Sequence, residues 1–167
     1  IHHVVSAMEK VHRKSSRVLV KFAGSIDPFN PSSLSNAEIA RWKDLPNVRF
    51  IGHQANMVEF WQSCDAAILA SFREGTPKAL LEAASTGLPL LASDVTGCRE
   101  VVSHGRNGYL FRPSDPEDIA IAILKLANDD EFCQQAGQAS RCLIFDRGLD
   151  ADTVGKKYAD FLGRISV

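Results

Sequence analysis

The sequence carries almost no net charge and has no long apolar run. Its 19 Lys and Arg residues nearly balance 20 Asp and Glu residues, so the formal net charge is −1. A charge so close to zero argues against electrostatic capture of nucleic acid or of an anionic membrane. No apolar run approaches the ~20 residues of a transmembrane helix, and no signal peptide precedes the first helical pattern. The missing initiator Met predicts a fragment of a longer protein.

Cysteine is scarce and irregularly spaced. The four cysteines are Cys64, Cys98, Cys133 and Cys142. None forms a Cys-x-x-Cys pair, and no histidine stands at zinc-ligand spacing beside them. Unpaired thiols in a reducing compartment are the simpler interpretation. We therefore expect neither a disulfide nor a metal site, and a cytoplasmic location.

The sequence does contain a regular alternation of short apolar runs and helical patterns. The predicted strands are Arg17–Gly24, Val48–Gly52, Asp65–Ser71, Leu88–Ser93 and Gly108–Arg112. Helices are predicted around them at His2–Lys14, Asn36–Lys43, Asn56–Ser63, Pro77–Thr86 and Gly97–Ser103. Strands that are nearly apolar throughout and separated by helices predict an α/β fold with a doubly wound, Rossmann-like parallel sheet flanked by helices.

The last part of the chain, residues 114–167, is predicted to be helical. An Asp-Pro-Glu sequence at residues 115–117 has the form of an N-cap followed by proline in the first turn. The predicted helices are Asp118–Ala127, Glu131–Phe145 and Asp152–Ile165. A single Pro/Ser-rich loop, Asp27–Ser35, follows the first strand. Without an internal repeat, residues 1–167 are predicted to form one domain.

Ligands of doubly wound sheets bind outside the carboxyl ends of the strands. That rule selects four loops: Gly24–Pro28, Gly52–Asn56, Phe72–Pro77 and Asp94–Gly97. In the third loop, proline suits the first turn of the helix that follows. The amides of Gly75, Thr76 and Lys78 would point out of the N-terminal end of that helix, where a phosphate binds readily.

Two glutamates flank this helix start. Glu74 lies in the loop, and Glu82 lies about 9 Å beyond Thr76 along a helix that rises ~1.5 Å per residue. A carboxylate offers two acceptor oxygens and therefore matches a vicinal diol. A sugar at one end, a ribose at the other and phosphates between them have the layout of a nucleoside diphosphate sugar.

A structural role is the alternative for both carboxylates. Acidic residues near a helix start commonly complement the helix dipole, and Glu82 would then be a solvated helix residue. Against this, Glu82 is surrounded in sequence by Ala and Leu, where a carboxylate is costly without a partner. Two carboxylates also repel a diphosphate, so cations must offset them. Arg73 and Lys78 are the candidates within this stretch.

The tryptophans and the N-terminal histidines have simpler interpretations. Trp42 and Trp61 lie in helical patterns that predict core positions rather than platforms for sugar stacking. His2, His3 and His12 are predicted on the surface of the first helix.

Several stretches resemble the retaining GT-B glycosyltransferases of family 4. Residues 74–83 read EGTPKALLEA, similar to the family's E-G-x-P-x-x-x-x-E-A pattern with two glutamates separated by seven residues. Residues 48–57 (VRFIGHQANM), 96–102 (TGCREVV) and 104–113 (HGRNGYLFRP) resemble further motifs of that family. The likeness runs from about Val18 to Pro113 and is most specific from Val48 onward. It implies that the chain is the C-terminal half of a GT-B fold.

The resemblance implies a catalytic role for Glu74, which would hold hydroxyls of the donor sugar near the reacting carbon. The donor-binding residues that it implies are Glu82, Gly75, Thr76, Pro77, Lys78, Gly24, His53 and Gln54. The amides at residues 75–78 would meet the sugar and the distal phosphate, and Glu82 would bind the ribose hydroxyls. Gly24 would lie near the diphosphate, and the backbone of residues 53–54 would meet the base. For Glu100, in the G-x-x-E motif, we expect only a structural role at a helix start.

The implied enzyme is a hexosyltransferase that moves a sugar from a UDP-linked donor to a glycan or lipid-linked acceptor with retention, as in bacterial surface-polysaccharide assembly. The nucleotide sugar is its substrate, and no cofactor or metal is expected. In the family, a strand with a following basic pair and an N-terminal acceptor domain precede this part. We expect that acceptor domain as the partner, peripheral membrane association only through it, and no sugar transfer by this chain alone.

A non-catalytic nucleotide- or sugar-binding regulatory module is the alternative. An upstream Gly-Arg…Lys segment with a second Rossmann-like domain would favour the enzyme. Two other classes lack their motifs: there is no G-x-S-x-G of an α/β hydrolase and no G-x-G-x-x-G after the first strand of a dinucleotide oxidoreductase.

Overall fold

Helices and strands alternate through the chain in a computed structural model that describes residues 1–26, 29 and 33–165. The strands are β1 (Val20–Ala23), β2 (Val48–Gly52), β3 (Ala67–Leu69), β4 (Leu90–Ser93) and β5 (Gly108–Phe111). The helices are α1 (His2–Lys14), α2 (Asn36–Trp42), α3 (Met57–Gln62), α4 (Lys78–Ser85), α5 (Thr96–Arg99), α6 (Pro116–Ala127), α7 (Asp130–Asp146) and α8 (Ala151–Ile165). Most of the predicted loop Asp27–Ser35, namely Asp27, Pro28 and residues 30–32, lies outside the described residues.

All strand pairs are parallel, which confirms the predicted α/β class with helices flanking parallel strands. The strands form two sheets, in the orders β1–β2 and β3–β4–β5, rather than the one continuous sheet expected. No strand of the described part of the chain pairs with both sheets. Both sheets nevertheless supply one apolar cluster, because Val20 and Val48 pack with Leu91, Tyr109 and Phe111.

β4 carries side chains to both faces of its sheet, since successive residues of a strand point to opposite sides. Leu91 packs in the first cluster with α1 and α6, whereas Leu90 and Ala92 pack in a second cluster with α4 and α5. All four residues of β4 are buried. The sheet is therefore covered by helices on both faces, as the apolar character of Leu90–Ser93 predicts.

Local sequence signals set the helix starts. Ser35 and Glu38 form a capping box at α2, which satisfies two amides of the first turn. The Asp115 carboxylate accepts hydrogen bonds from two amides at the start of α6, with Pro116 in the first turn as predicted. Trp42, at the end of α2, is buried as predicted. No helix in residues 1–26 or 33–165 is long and apolar enough to cross a bilayer.

One helix is shorter than predicted. The pattern at Gly97–Ser103 gives only the single turn Thr96–Arg99, and the Val101 amide that follows it donates to the Cys98 carbonyl three residues earlier, as in a tight final turn. Glu100 is the C-cap residue that follows α5, so the expected role at a helix start is wrong. Its carbonyl accepts a hydrogen bond from the Arg147 guanidinium, which connects α5 to α7.

Candidate functional site

The loop between β3 and α4 ends at a helix start that no side chain caps. α4 begins at Lys78, and Pro77 is its N-cap residue with extended backbone rather than a residue of the first turn as predicted. Pro77 is buried and has no amide hydrogen, so its part is to shape the turn. Gly75 and Thr76 are exposed. The first amides of α4 are thus available to an anion, as expected for an uncapped helix start.

The backbone of Glu74 and Gly75 packs directly against α5. A β-carbon at Gly97 would overlap the carbonyl oxygens of both Gly75 and Glu74. Only glycine lets the two backbones approach this closely. The Glu74 carboxylate also lies near the buried Cys98 thiol, whose pKa is raised to about 11, mainly by burial and further by the charge of Glu74. The sequence pattern did not reveal that this contact holds the loop.

The Glu82 carboxylate lies between two donors. One oxygen, Oε1, is 3.6 Å from Lys78 Nζ, one helical turn earlier. The other, Oε2, accepts a hydrogen bond from the Trp61 indole nitrogen at 3.5 Å. The Glu82 side chain is 34% exposed, so it reaches both these partners and solvent. Glu82 therefore has polar partners within its apolar surroundings. One of them, Trp61, was predicted only as a core residue.

The ends of β1 and β2 form a second group of predicted site residues. The Gly24 amide donates to the Gly52 carbonyl at 2.8 Å. The Gln54 side-chain amide turns back to the Ile51 carbonyl at 2.8 Å and fixes the loop that follows β2. His53 and Gly24 are exposed, and Gly24 has a φ of 137°, which favours glycine.

The N-terminal end of α1 lies beside the β3–α4 loop. The His3 imidazole contacts the Phe72 ring edge-on, with 6.0 Å between the centroids. The positive end of the α1 dipole is therefore close to the loop that carries Glu74. Arg73 is exposed in the same loop. Between the end of β4 and α5, Arg99 forms an ion pair of 2.6 Å with Asp94, and this ion pair lowers the pKa of the Asp94 carboxyl.

The predicted residues thus fall into two groups at strand ends. Lys78 and Glu82 meet on α4, next to the loop of Glu74, Gly75, Thr76 and Pro77. Gly24, His53 and Gln54 lie together at the ends of the other sheet. Neither of two cavities elsewhere involves these residues: one of about 150 Å³ lies between the α5–β5 loop and α7, and one of about 450 Å³ lies between α1 and α2. The candidate site is an open face rather than either of these cavities.

The comparison with protein families identifies the class of protein. Residues 1–129 match the model of the glycosyl transferases group 1. The chain belongs to this glycosyltransferase family. CapM, a capsular polysaccharide biosynthesis glycosyltransferase of Staphylococcus aureus, is 26% identical over 141 residues, covering 84% of this chain and 37% of CapM. The chain therefore spans little more than a third of that relative.

A second relative is also a glycosyltransferase, and a solved structure shares the fold. The N,N'-diacetylbacillosaminyl-diphospho-undecaprenol alpha-1,3-N-acetylgalactosaminyltransferase of Campylobacter jejuni is 29% identical over 113 residues, 66% of this chain and 30% of that enzyme. Anabaena HepE, solved in complex with UDP-glucose, superposes with a TM-score of 0.86 at 22% identity, covering 98% of this chain and 44% of HepE. The predicted GT-B glycosyltransferase fold is confirmed. Family 4 and the retaining mechanism stay predictions.

Proposed function

We propose that this chain is the donor-binding domain of a retaining, family 4 hexosyltransferase that uses a nucleotide-diphosphate sugar, UDP-linked, and a glycan or lipid-linked acceptor. The observation that carries the proposal is the uncapped start of α4 with Glu74 before it and Glu82 after it. Free amides there suit a phosphate, and the two carboxylates suit the hydroxyls of sugar and ribose. Its four unpaired thiols fit a cytoplasmic location.

The electrostatics of the site support an anionic donor in spite of the two glutamates. Lys78 lies 3.6 Å from Glu82 and offsets its charge. The N-terminal ends of α1 and α4 face the same loop and add positive potential. As the diphosphate departs, such fixed donors stabilise the charge that develops on it. Glu74 would hold the sugar hydroxyls next to the bond that breaks.

Donor binding tests the assignment most directly. We expect the chain to bind UDP in a calorimetric titration, and Glu82→Gln to weaken that binding roughly 10- to 100-fold, because a hydrogen bond to a charged group contributes about 1.5–3 kcal/mol. Glu74→Gln should weaken binding of a UDP-sugar more than binding of UDP. Glu131→Gln, at the start of α7, is the matched control. Unchanged affinities in both site variants would refute the assignment.

Turnover separates the enzyme from the regulatory alternative. We propose that the chain binds donor without transferring sugar, because acceptor binding belongs to a separate N-terminal domain and the basic pair belongs to a segment that precedes α1. The longer protein should release UDP from its donor in the presence of acceptor, and this chain alone should not. Sustained release by the chain alone would contradict the division of labour. Donor binding without turnover by the longer protein would favour the regulatory module.

We also propose that a parallel strand from outside the described residues lies between β1 and β3. α1 and α2 lie on one face, since Val5 packs with Leu34 and Trp42. Right-handed crossovers on one face proceed in one direction across a parallel sheet. Because α2 leads from β1 to β2, a strand leading into α1 would lie on the other side of β1, beside β3.

The free edge of β3 supports this arrangement and provides its test. Ile68 and Leu69 are half-exposed, whereas β4 is buried throughout. The Ala67 amide donates to Pro89 across the β3–β4 pair, so the next amide, that of Ile68, points away from β4. Hydrogen exchange at Ile68 should be slower in the longer protein than in this chain, with Ala67 as the internal control. Equal exchange at Ile68 would contradict the added strand.

A further inference from the structure

Trp61 makes a polar contact that its place among apolar residues does not require. The ring packs against the apolar cluster that contains Leu80, Ala83 and Ala84 of α4. Its only polar atom, Nε1, reaches Glu82 Oε2 at 3.5 Å. An indole nitrogen is a donor only, so the contact is available to the carboxylate and not to a cation.

The two partners of Glu82 differ in how firmly they are held. Trp61 is half-buried and packs against the neighbouring Phe60 ring, with 5.0 Å between centroids. Lys78 is 88% exposed and lies 3.6 Å from Glu82, about as far as the Trp61 nitrogen. An exposed pair of this kind contributes little. The indole is therefore the rigid one of these two donors.

A carboxylate whose orientation is fixed beforehand binds a vicinal diol with a smaller loss of conformational freedom. Each oxygen has two lone pairs. In the structure Trp61 engages Oε2 and Lys78 lies beside Oε1, so at least one lone pair on each oxygen remains for a ligand. Two parallel hydrogen bonds to neighbouring hydroxyls need both of these lone pairs on the same side. A rotation of the carboxylate would lose one of the two bonds.

We propose that Trp61 is a positioning residue for donor binding: its indole N–H orients the Glu82 carboxylate so that both oxygens present to the ribose hydroxyls. The inference rests on the proposed function, which assigns the ribose to Glu82. It adds a residue on α3 to a site that is otherwise built from strand ends and α4. The ring remains part of the core, and its nitrogen serves the site.

The test compares two nucleotides that differ only in the hydroxyls at issue. Trp61→Phe keeps an aromatic ring and removes the N–H group. We expect it to weaken UDP binding by this chain about 3- to 10-fold, and to leave binding of 2′,3′-dideoxy-UDP unchanged, since that nucleotide has no diol for Glu82. The double variant with Glu82→Gln should bind UDP no more weakly than Glu82→Gln alone. Trp42→Phe, in the core on α2, is the matched control.

A measurement on the unaltered ring keeps the proposal testable if Trp61→Phe folds poorly. The chain has two tryptophans, so a ¹⁵N correlation spectrum shows two indole resonances. Glu82→Gln should shift the Trp61 resonance and leave that of Trp42 in place, and UDP should shift it in the parent chain.

The outcomes are distinguishable. The positioning role would be overturned if Trp61→Phe weakened binding of UDP and of 2′,3′-dideoxy-UDP equally. It would also be overturned if Trp61→Phe weakened neither while Glu82→Gln still weakened UDP binding alone. Both outcomes would leave the proposed function intact. A Trp61 indole resonance that ignores Glu82→Gln would also overturn the positioning role. If Glu82→Gln does not affect UDP binding, the proposed site and the inference fail together.

Discussion

Gly97 lets α5 lie directly on the loop that carries Glu74, and replacing it should have consequences in two places. A methyl group at Gly97 would overlap the carbonyl oxygens of Gly75 and Glu74. Both obstacles are backbone atoms, so no side-chain rotation can relieve the overlap. Either the β3–α4 loop or α5 must move.

The magnitude follows from two opposing effects. Helix propensity alone favours Ala over Gly by about 1 kcal/mol. Forcing extra volume into a packed region costs about 1–3 kcal/mol or more, so the overlap should decide the sign. The difference between the two effects predicts that Gly97→Ala lowers the free energy of unfolding by up to about 2 kcal/mol, a fall in Tm of up to about 8 °C for a chain of this size. UDP-sugar binding should weaken too, because Glu74 moves with the loop.

Gly155→Ala in α8 is the matched control. Its β-carbon would meet no atom within 4 Å, so only propensity acts there, and Tm should stay level or rise by at most ~4 °C. Thermal unfolding followed by circular dichroism measures both variants side by side. If Gly97→Ala is as stable as the parent chain and binds donor equally well, the loop does not depend on this contact.

Two further predictions concern titratable groups. The pKa of Glu38 is lowered to about 2, chiefly by hydrogen bonds from Ser35 and then by His2. The contribution of the ionised Glu38 side chain to stability is therefore complete above about pH 4.5 and is lost as the pH falls towards 2. Glu38→Gln should flatten that part of an acid-unfolding curve. An unchanged curve would contradict the role of Glu38. With its pKa at about 11, buried Cys98 should resist iodoacetamide at pH 8 while exposed Cys142 reacts. Mass spectrometry of the labelled peptides measures both reactions, and equal labelling of the two cysteines would contradict the prediction.

The strand pattern and the helix starts were predictable because local chemistry determines them. Leu90–Ala92 is apolar throughout and follows Gly87 and Pro89, which predicts a strand buried on both faces. Asp115 followed by Pro116 is a helix start that needs no tertiary information. The motif at residues 74–83 likewise led to the family, because its spacing is read directly from the chain.

The contacts that complete the candidate site were not predictable in the same way. Periodicity indicates that Trp61 faces the core, but it does not say that the ring nitrogen meets Glu82, 21 residues later. The contact at Gly97 joins α5 to the loop of Glu74, and only the packed sheet brings these two segments together. The split into two sheets has the same origin, since strand pairing depends on all the strands present.

Because β4 is buried on both faces, this one strand lies between two hydrophobic cores and belongs to both. Leu91 belongs to the core under α1 and α6, and Leu90 to the core under α4. Loss of either core would expose one side of the same short strand and break its pairing with β3 and β5. The two cores should therefore unfold as a single cooperative unit, with the calorimetric enthalpy equal to the van't Hoff enthalpy. A substitution on either side of β4 then subtracts from one common free energy of unfolding.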